Sequence, residues 1–294
     1  MKFGINVFQS GARYGYLEGT EKPIGIASYL SSIESIRKLG FTHYEVLLDP
    51  LMKALNREER CILFAKLAEF NKNHDMTSSI HMPFWWIDIS VPDSAMRNTS
   101  VEQIISLTKD TQVMDPTHYV VHALQPVTPG RIAKVRLGQD LKAMFMQEYY
   151  ETVKESLHAI ATNVEDSKKI AIENLQQESD YTQLWKLAEE LDLSINYDYG
   201  HQFLAEQNVY NGFDKMWPRI SSIHAHNIYI EKTGHKEACV LKDHKGLANG
   251  IINTKEILDY LKNRHYEGLF VVEVMTTEDA RNSSDFLKKH GFIL

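Results

Sequence analysis

Short apolar runs alternate eight times with longer segments of helical period, which predicts an α/β protein: a single (β/α)8 TIM barrel spanning residues 1–294. Two further observations favour the barrel over its main rival, a doubly wound open sheet. No Pro/Gly/Ser-rich linker or low-complexity run divides the chain, and 294 residues suit an α/β barrel as one domain. The glycine-rich phosphate loop of an open dinucleotide-binding sheet is also missing, because "NVFQSGARYGY" does not fit GxGxxG.

Taken in order, the first strand falls at residues 3–8 (FGINVF) and its helix at 26–39. The second strand is 43–48 (HYEVLL) with a helix at 54–74, and the third is 77–82 (TSSIHM) with a helix at 101–114. The fourth, 118–123 (HYVVHA), precedes a helix at 141–163, and the fifth, 169–175 (KIAIENL), precedes one at 181–191. After the sixth, 193–198 (LSINYD), the stretch 202–217 is less regular and is taken as the sixth connection. The seventh, 220–226 (ISSIHAH), is followed by a helix at 254–264, and the eighth, 269–275 (LFVVEVM), by one at 277–289. Runs rich in Val and Ile bounded by turn residues read as strands, and apolar residues at helical spacing read as the covering helices.

Composition is that of an ordinary globular protein, with 43% hydrophobic and 24% charged residues. The net charge of −7 advertises no nucleic-acid surface, and "RIAKVR" (131–136) is the one local basic cluster. Cys61 and Cys239 cannot build a disulfide framework, and no CxxC pair offers a thiolate metal site. The N-terminus lacks the apolar run of a signal peptide and no stretch approaches 18 apolar residues, so a cytoplasmic protein with no membrane contact is expected.

In a barrel the C-terminal strand ends converge on one face, where active sites are built. Here strand three ends in His81, strand four in His122 and strand five in Glu173. Strand six ends in Asp198 with His201 beyond it, strand seven carries His224 and His226, and strand eight ends in Glu273. One histidine or glutamate in such a place is ordinarily satisfied by backbone or by a basic neighbour. Six consecutive strands ending this way are different, because charged groups in Val/Ile-rich runs are costly to bury unless paired or coordinated. Imidazole and carboxylate together suit zinc, manganese or cobalt. His43, His74 and His235 read as surface or structural residues.

The phrases "SIHMPFW", "VVHAL", "IAIENL", "NYDYGH", "SSIHAHN", "HKGLANGII" and "FVVEV", with "GFTHYEVLL" at the second strand, resemble the xylose isomerase-like TIM barrels. That superfamily includes sugar-phosphate isomerases and epimerases and the endonuclease IV group (AP endonuclease family 2). The resemblance implies a metal held by Glu173, Asp198, His224 and Glu273. Members similar to endonuclease IV hold more zinc, which would place His81 and His122 with Glu173, and His201 with His244. The segment "LKDHKGLANG" resembles the family's DxHxxLGxG, but Lys242 stands where the aspartate belongs and Asp243 sits one step off. A lysine ammonium cannot be a ligand.

Two activities follow from the resemblance. In a sugar or sugar-phosphate isomerase or epimerase, Glu173 and Glu273 remove and return a proton while a divalent ion stabilises the enediolate. His201 and His226 would contact hydroxyls, Lys242 or Lys245 a phosphate or carboxylate, and Trp85 of "FWW" would stack on the substrate. The alternative is a multi-zinc phosphodiesterase or AP endonuclease using His81, His122 and His244 as ligands, with nucleic acid as partner. Lys242 and the lack of a long basic loop near the strand ends favour the first. The apolar excess of "MFMQEYY" (144–150) is compatible with a homodimer. The loops at 8–25, 83–98 and 124–140 carry no readable signature.

Overall fold

Alternation of residue type along each strand decides which side chains enter the barrel and which face the helices. The computed structural model describes residues 1–7, 23–124, 138–175, 181–232 and 239–294. Its strands are β1 (Lys2–Asn6), β2 (His43–Leu47), β3 (Thr77–His81), β4 (Tyr119–Val121) and β5 (Ile170–Glu173). They continue with β6 (Ser194–Asp198), β7 (Ile220–Ala225), β8 (Asn227–Lys232), β9 (Cys239–Lys245) and β10 (Leu269–Val272). Eight of them close into a parallel barrel in the order β1-β10-β7-β6-β5-β4-β3-β2, and β8 pairs with β9 as a separate antiparallel hairpin. Closure is made by β1, which pairs Phe3 with Phe270 on one side and Gly4 with His43 on the other.

Successive residues of a strand point to opposite faces. Tyr44 and Val46 of β2, Ile80 of β3, Ile172 of β5, Ile195 and Tyr197 of β6 and Ile223 of β7 are buried to within 1% and belong to the apolar core. Burial of each such Ile stabilises the fold by roughly 1.5–3 kcal/mol. The alternate positions are polar and equally buried: His43 and Glu45, Ser79 and His81, Glu173, Asn196 and Asp198, Ser222 and His224. Contacts across the barrel show that this second set points inward, as between Glu45 of β2 and His224 of β7. A TIM barrel interior is usually filled with branched apolar residues. Much of this one is filled with imidazoles, hydroxyls and carboxylates. The exchange needs space, and Gly4 supplies it, since a Cβ there would lie 2.6 Å from His43 Cδ2.

Helices α1 (Ile26–Lys38), α2 (Leu48–Ala54), α3 (Arg57–His74), α4 (Ser94–Thr111) and α5 (Gln139–Ala161) cover the first half of the barrel. Helices α6 (Tyr181–Glu190), α7 (Tyr199–Glu206), α8 (Tyr210–Met216), α9 (Thr254–Asn263) and α10 (Thr277–Lys289) cover the second. Three departures from the sequence expectation have physical causes. The helix expected at 54–74 begins at Arg57, where Asn56 caps α3 in a capping box with Glu59, and a separate short α2 precedes it over Leu48–Ala54. The helix expected from 101 begins at Ser94, capped by Asp93. Its first turns are almost wholly exposed and so carry no apolar period. The β8–β9 hairpin was not expected at all, because exposed Tyr229, Ile230 and Leu241 interrupt any clean alternation.

Of the MFMQEYY stretch, Met144 and Phe145 are exposed on α5 and Tyr149 is buried in the core. No helix among the described residues is long and apolar enough to cross a membrane. "RIAKVR" and His235 lie outside the described residues.

Candidate metal centre

Each central side chain stands at the C-terminal end of a barrel strand, where the backbone hydrogen bonds run out and loops begin. Glu173 closes β5 and Asp198 closes β6, while Glu273 follows β10 with its N–H bonded to Ala225 O at 2.9 Å. Asn174 clamps the β6 end twice: its Oδ1 accepts Asp198 N–H and its Nδ2 donates to Asp198 O, both at 2.8 Å. Asp198 then caps α7, with Oδ1 accepting His201 N–H at 2.7 Å. A short strand-to-helix turn thereby fixes a carboxylate and an imidazole three residues apart.

Glu173, Asp198, His224 and Glu273 each place one donor atom within 4.8 Å of the others, and His81, Glu173 and His224 form an overlapping set. His224 Nδ1 lies 3.3 Å from Glu173 Oε1 and 3.2 Å from Glu273 Oε2. His81 Nε2 and His122 Nε2 both lie 3.4 Å from Glu173 Oε2. His201, His226 and His244 make a third set beside the first. His244 has a left-handed backbone, φ 53°, of the strained kind that collects at functional sites.

Residues 33–290 match the model of the xylose isomerase-like TIM barrel family. The chain belongs to that family. This xylose isomerase-like barrel is 22% identical to an uncharacterized protein of Methanocaldococcus jannaschii over 281 residues, 90% of this chain and 85% of that one. Among solved structures it is similar to a D-tagatose 3-epimerase-like protein (20% identity, 99% and 97% of the two chains, TM-score 0.71). It is also similar to an AP endonuclease, family 2, of Brucella melitensis (12%, 98% and 98%, TM-score 0.66). A third similar structure is the IolI protein with a bound zinc atom (14%, 98% and 96%, TM-score 0.65).

The donor chemistry of the xylose isomerase-like barrel fits a divalent cation. Glu45, Glu173 and Asp198 are buried to within 1%, and Glu273 is 12% exposed. Among the described residues every ion pair of these four carboxylates is with a histidine, and none is with Lys or Arg. Glu173 Oε2, Asp198 Oδ2 and Glu273 Oε2 are buried without a hydrogen bond among the described residues. His81 sharpens the point. Its Nδ1–H donates to Met82 O at 3.0 Å, so a neutral ring turns the Nε2 lone pair toward Glu173 Oε2. Two lone pairs facing each other need a cation or a proton between them.

Without an ion, protons fill that role. Burial alone would lower the His81 pKa, yet Glu173 and Glu45 raise it to about 9. Burial is likewise outweighed at His224, held well above its usual value by Glu45, Glu173 and Glu273, and at His244, raised to about 10 by Glu273 and Asp243. Burial opposes but does not prevent the depression of Glu173 and Glu273 well below the carboxylate range by the same histidines. At His122 burial dominates and the pKa falls.

Of the residues expected at the site, Glu173, Asp198, His224, Glu273, His81, His122, His201, His226 and His244 are brought together, and Lys242 and Trp85 are not. The Lys242 ammonium pairs with Glu231 Oε2 at 2.6 Å across the β8–β9 hairpin. Lys245 pairs with Asp279 at 3.3 Å. The aromatic ring against the histidines is Phe84, 4.2 Å from His122 and 5.1 Å from His81 between centroids, and Trp85 packs on Phe84 and Trp86. Buried Asp49 holds this turn by accepting the Phe84 and Trp85 N–H groups at 3.0 and 3.1 Å. His226, expected to touch substrate, is fully buried. Its Nδ1 accepts His244 N–H at 3.1 Å and its Nε2 faces Asp198 Oδ1 at 3.2 Å. The His226 and His244 rings stack at 4.3 Å and 9°, so their in-plane lone pairs cannot both converge on one ion. Asp243, not Lys242, stands by His244, with Oδ1 3.3 Å from its Nδ1.

Neither Glu45 nor Asp49 is marked as a site residue by the sequence, and within FWW the sequence places the stacking role on Trp85 and not on Phe84. The one signal for Glu45 was a carboxylate inside the apolar run HYEVLL.

Proposed function

We propose that the chain is a divalent-metal-dependent isomerase or epimerase of a sugar or sugar phosphate, working by proton transfer at a carbon beside a carbonyl. The observation that carries the reading is the convergence of Glu173 and Glu273, from strands that are not neighbours, on His224 Nδ1. Glu173, Asp198, His224 and Glu273 would hold the ion, and zinc, manganese and cobalt all suit these donors. When bound, it supplies Lewis-acid stabilisation of negative charge on substrate oxygens. The protein does the rest. One of the pair, Glu173 or Glu273, enters ionised and takes the proton on one face of the carbon, and the other enters protonated and returns a proton on the opposite face, so that one carboxylate is charged before and after the step. His201, whose Nδ1–H donates to Asn174 O at 3.1 Å, keeps Nε2 for a substrate hydroxyl. Phe84 and Asp49 shape the wall beside His81 and His122. The epimerase-like and zinc-bound structural neighbours support the reading at the level of the fold.

A second reading, a multi-zinc phosphodiesterase, draws on the two imidazoles against Glu173 Oε2. Metal ions counted per chain by elemental analysis of unchelated protein separate the two. About one ion, with turnover on ketoses or their phosphates, supports the isomerase. Two or three zinc ions with phosphodiester cleavage would replace it. No metal after reconstitution would sink both.

A further inference from the structure

We infer that Glu45 is a positioning residue for the metal centre, fixing the tautomer and aim of His224; this deepens the metal-dependent reading above and rests on it. Among the described residues Glu45 belongs to none of the clustered donor sets, yet it is wholly buried on β2, three strands round the barrel from β7. Its Oε1 lies 2.9 Å from His224 Nε2. A carboxylate acceptor there places the ring proton on Nε2 and leaves the Nδ1 lone pair directed at Glu173 and Glu273. A carboxylate behind a histidine ligand both orients the ring and raises its basicity.

The carboxylate is itself held in one orientation. Ser79 Oγ–H donates to Glu45 Oε2 at 2.8 Å, and a serine that donates there can accept from His43 Nε2–H at 3.0 Å. His43 Nδ1 then accepts from Thr77 Oγ1–H at 2.9 Å. The hydrogen-bond polarity of this row is settled from Thr77 to His224, with no rotor free to reverse it. Gly4 leaves room for the His43 ring, so three neighbouring strands are shaped around the row. Such a buried arrangement is costly unless every member is satisfied, and each bond in it leads toward His224, the imidazole shared by Glu173 and Glu273.

The test uses the full chain, stripped of metal and titrated with zinc against a chromophoric chelator, and separately with cobalt(II) read by visible absorption. Glu45→Gln keeps the shape and removes the charge. It should weaken zinc binding by about 10-fold to 100-fold and alter the cobalt spectrum while the metal-free melting temperature stays close to that of the wild type. Ser79→Ala, which leaves the carboxylate and frees its orientation, should weaken zinc by a smaller factor and covers the case in which Glu45→Gln fails to fold. If both folded variants bind zinc within twofold of wild type with an unchanged cobalt spectrum, Glu45 has no such role, even though the centre itself stands. If the wild type takes up neither ion, the metal reading fails and the role of Glu45 goes with it.

Discussion

Gly200 lies in the first turn of α7, and replacing it by alanine sets two effects of opposite sign against each other. Helix propensity alone predicts that Gly200→Ala stabilises the protein by about 1 kcal/mol. The packing predicts the reverse. A Cβ at residue 200 would lie 2.2 Å from His226 Cε1, 2.4 Å from Nε2 and 2.6 Å from Nδ1. Ordinary contact begins near 3.4 Å, so the ring must retreat by roughly 1 Å, and it has nowhere easy to go. It is stacked on His244 at 4.3 Å, holds His244 N–H at 3.1 Å and faces Asp198 at 3.2 Å. Overpacking of this kind costs about 1–3 kcal/mol, and the displaced hydrogen bond about 1 kcal/mol more. After the propensity gain, a net loss of about 1–3 kcal/mol remains, or a melting temperature lower by roughly 2–12 °C for a chain of this size. Gly25→Ala is the control, because no described residue lies within 4 Å of its added Cβ. Calorimetric melts of both variants should show the loss in Gly200→Ala alone, together with weaker metal retention as Asp198 is disturbed. If Gly200→Ala melts at or above the wild type and keeps its metal, His226 is not seated on residue 200 as described.

Asp198→Ala removes a donor and the α7 cap together, so metal content and turnover should fall in step, with about 0.5–2 kcal/mol of stability lost in the metal-free protein; unchanged metal content would sink the assignment. Metal-free protein should lose stability as pH rises. His81 and His244 are raised to about 9 and about 10 from an ordinary 6.5, so their contribution is fully present below pH 6.5 and is lost as pH climbs through 9 to 10. Melts of chelated protein from pH 6.5 to 10 that stay flat would refute this. Asp49→Ala frees the Phe84–Trp85 turn at a cost of roughly 2–4 kcal/mol, and tryptophan emission should shift red as the aromatic wall opens. An unshifted spectrum with an unchanged melt would show that Asp49 does not hold the turn.

The barrel and its rim were legible because both are written in short-range patterns. Strand ends such as VVEV and INYD combine a β-branched or aromatic run with one acidic residue, and barrel topology gathers such ends whatever the loops do. Pairings across the fold were not legible. Glu45 meets His224 from 179 positions away, and nothing in HYEVLL says which face of β2 the carboxylate takes until the barrel closes. Lys242 looked like a phosphate anchor because its partner, Glu231, belongs to a hairpin whose strands carry no clean alternation. Trp85 and Phe84 stand next to each other in FWW, and only the Asp49 clamp decides which ring reaches the histidines.

The polar interior bears on the metal question independently of any single ligand. Replacing a buried ion network by apolar residues of similar volume is often neutral or stabilising, so buried charge is a weak argument for stability as such. Here Glu45, Glu173 and Asp198 occupy inward positions that barrels ordinarily fill with Val, Ile or Leu, and their counter-charges are histidines. A lysine or arginine would neutralise these carboxylates permanently. A histidine can give up its proton and become a neutral donor when a cation arrives, which makes cation uptake a proton exchange instead of a charge added to a pre-neutralised core. The choice of imidazole as partner therefore keeps the interior tolerable with and without an ion, a property that a purely structural ion network would not need.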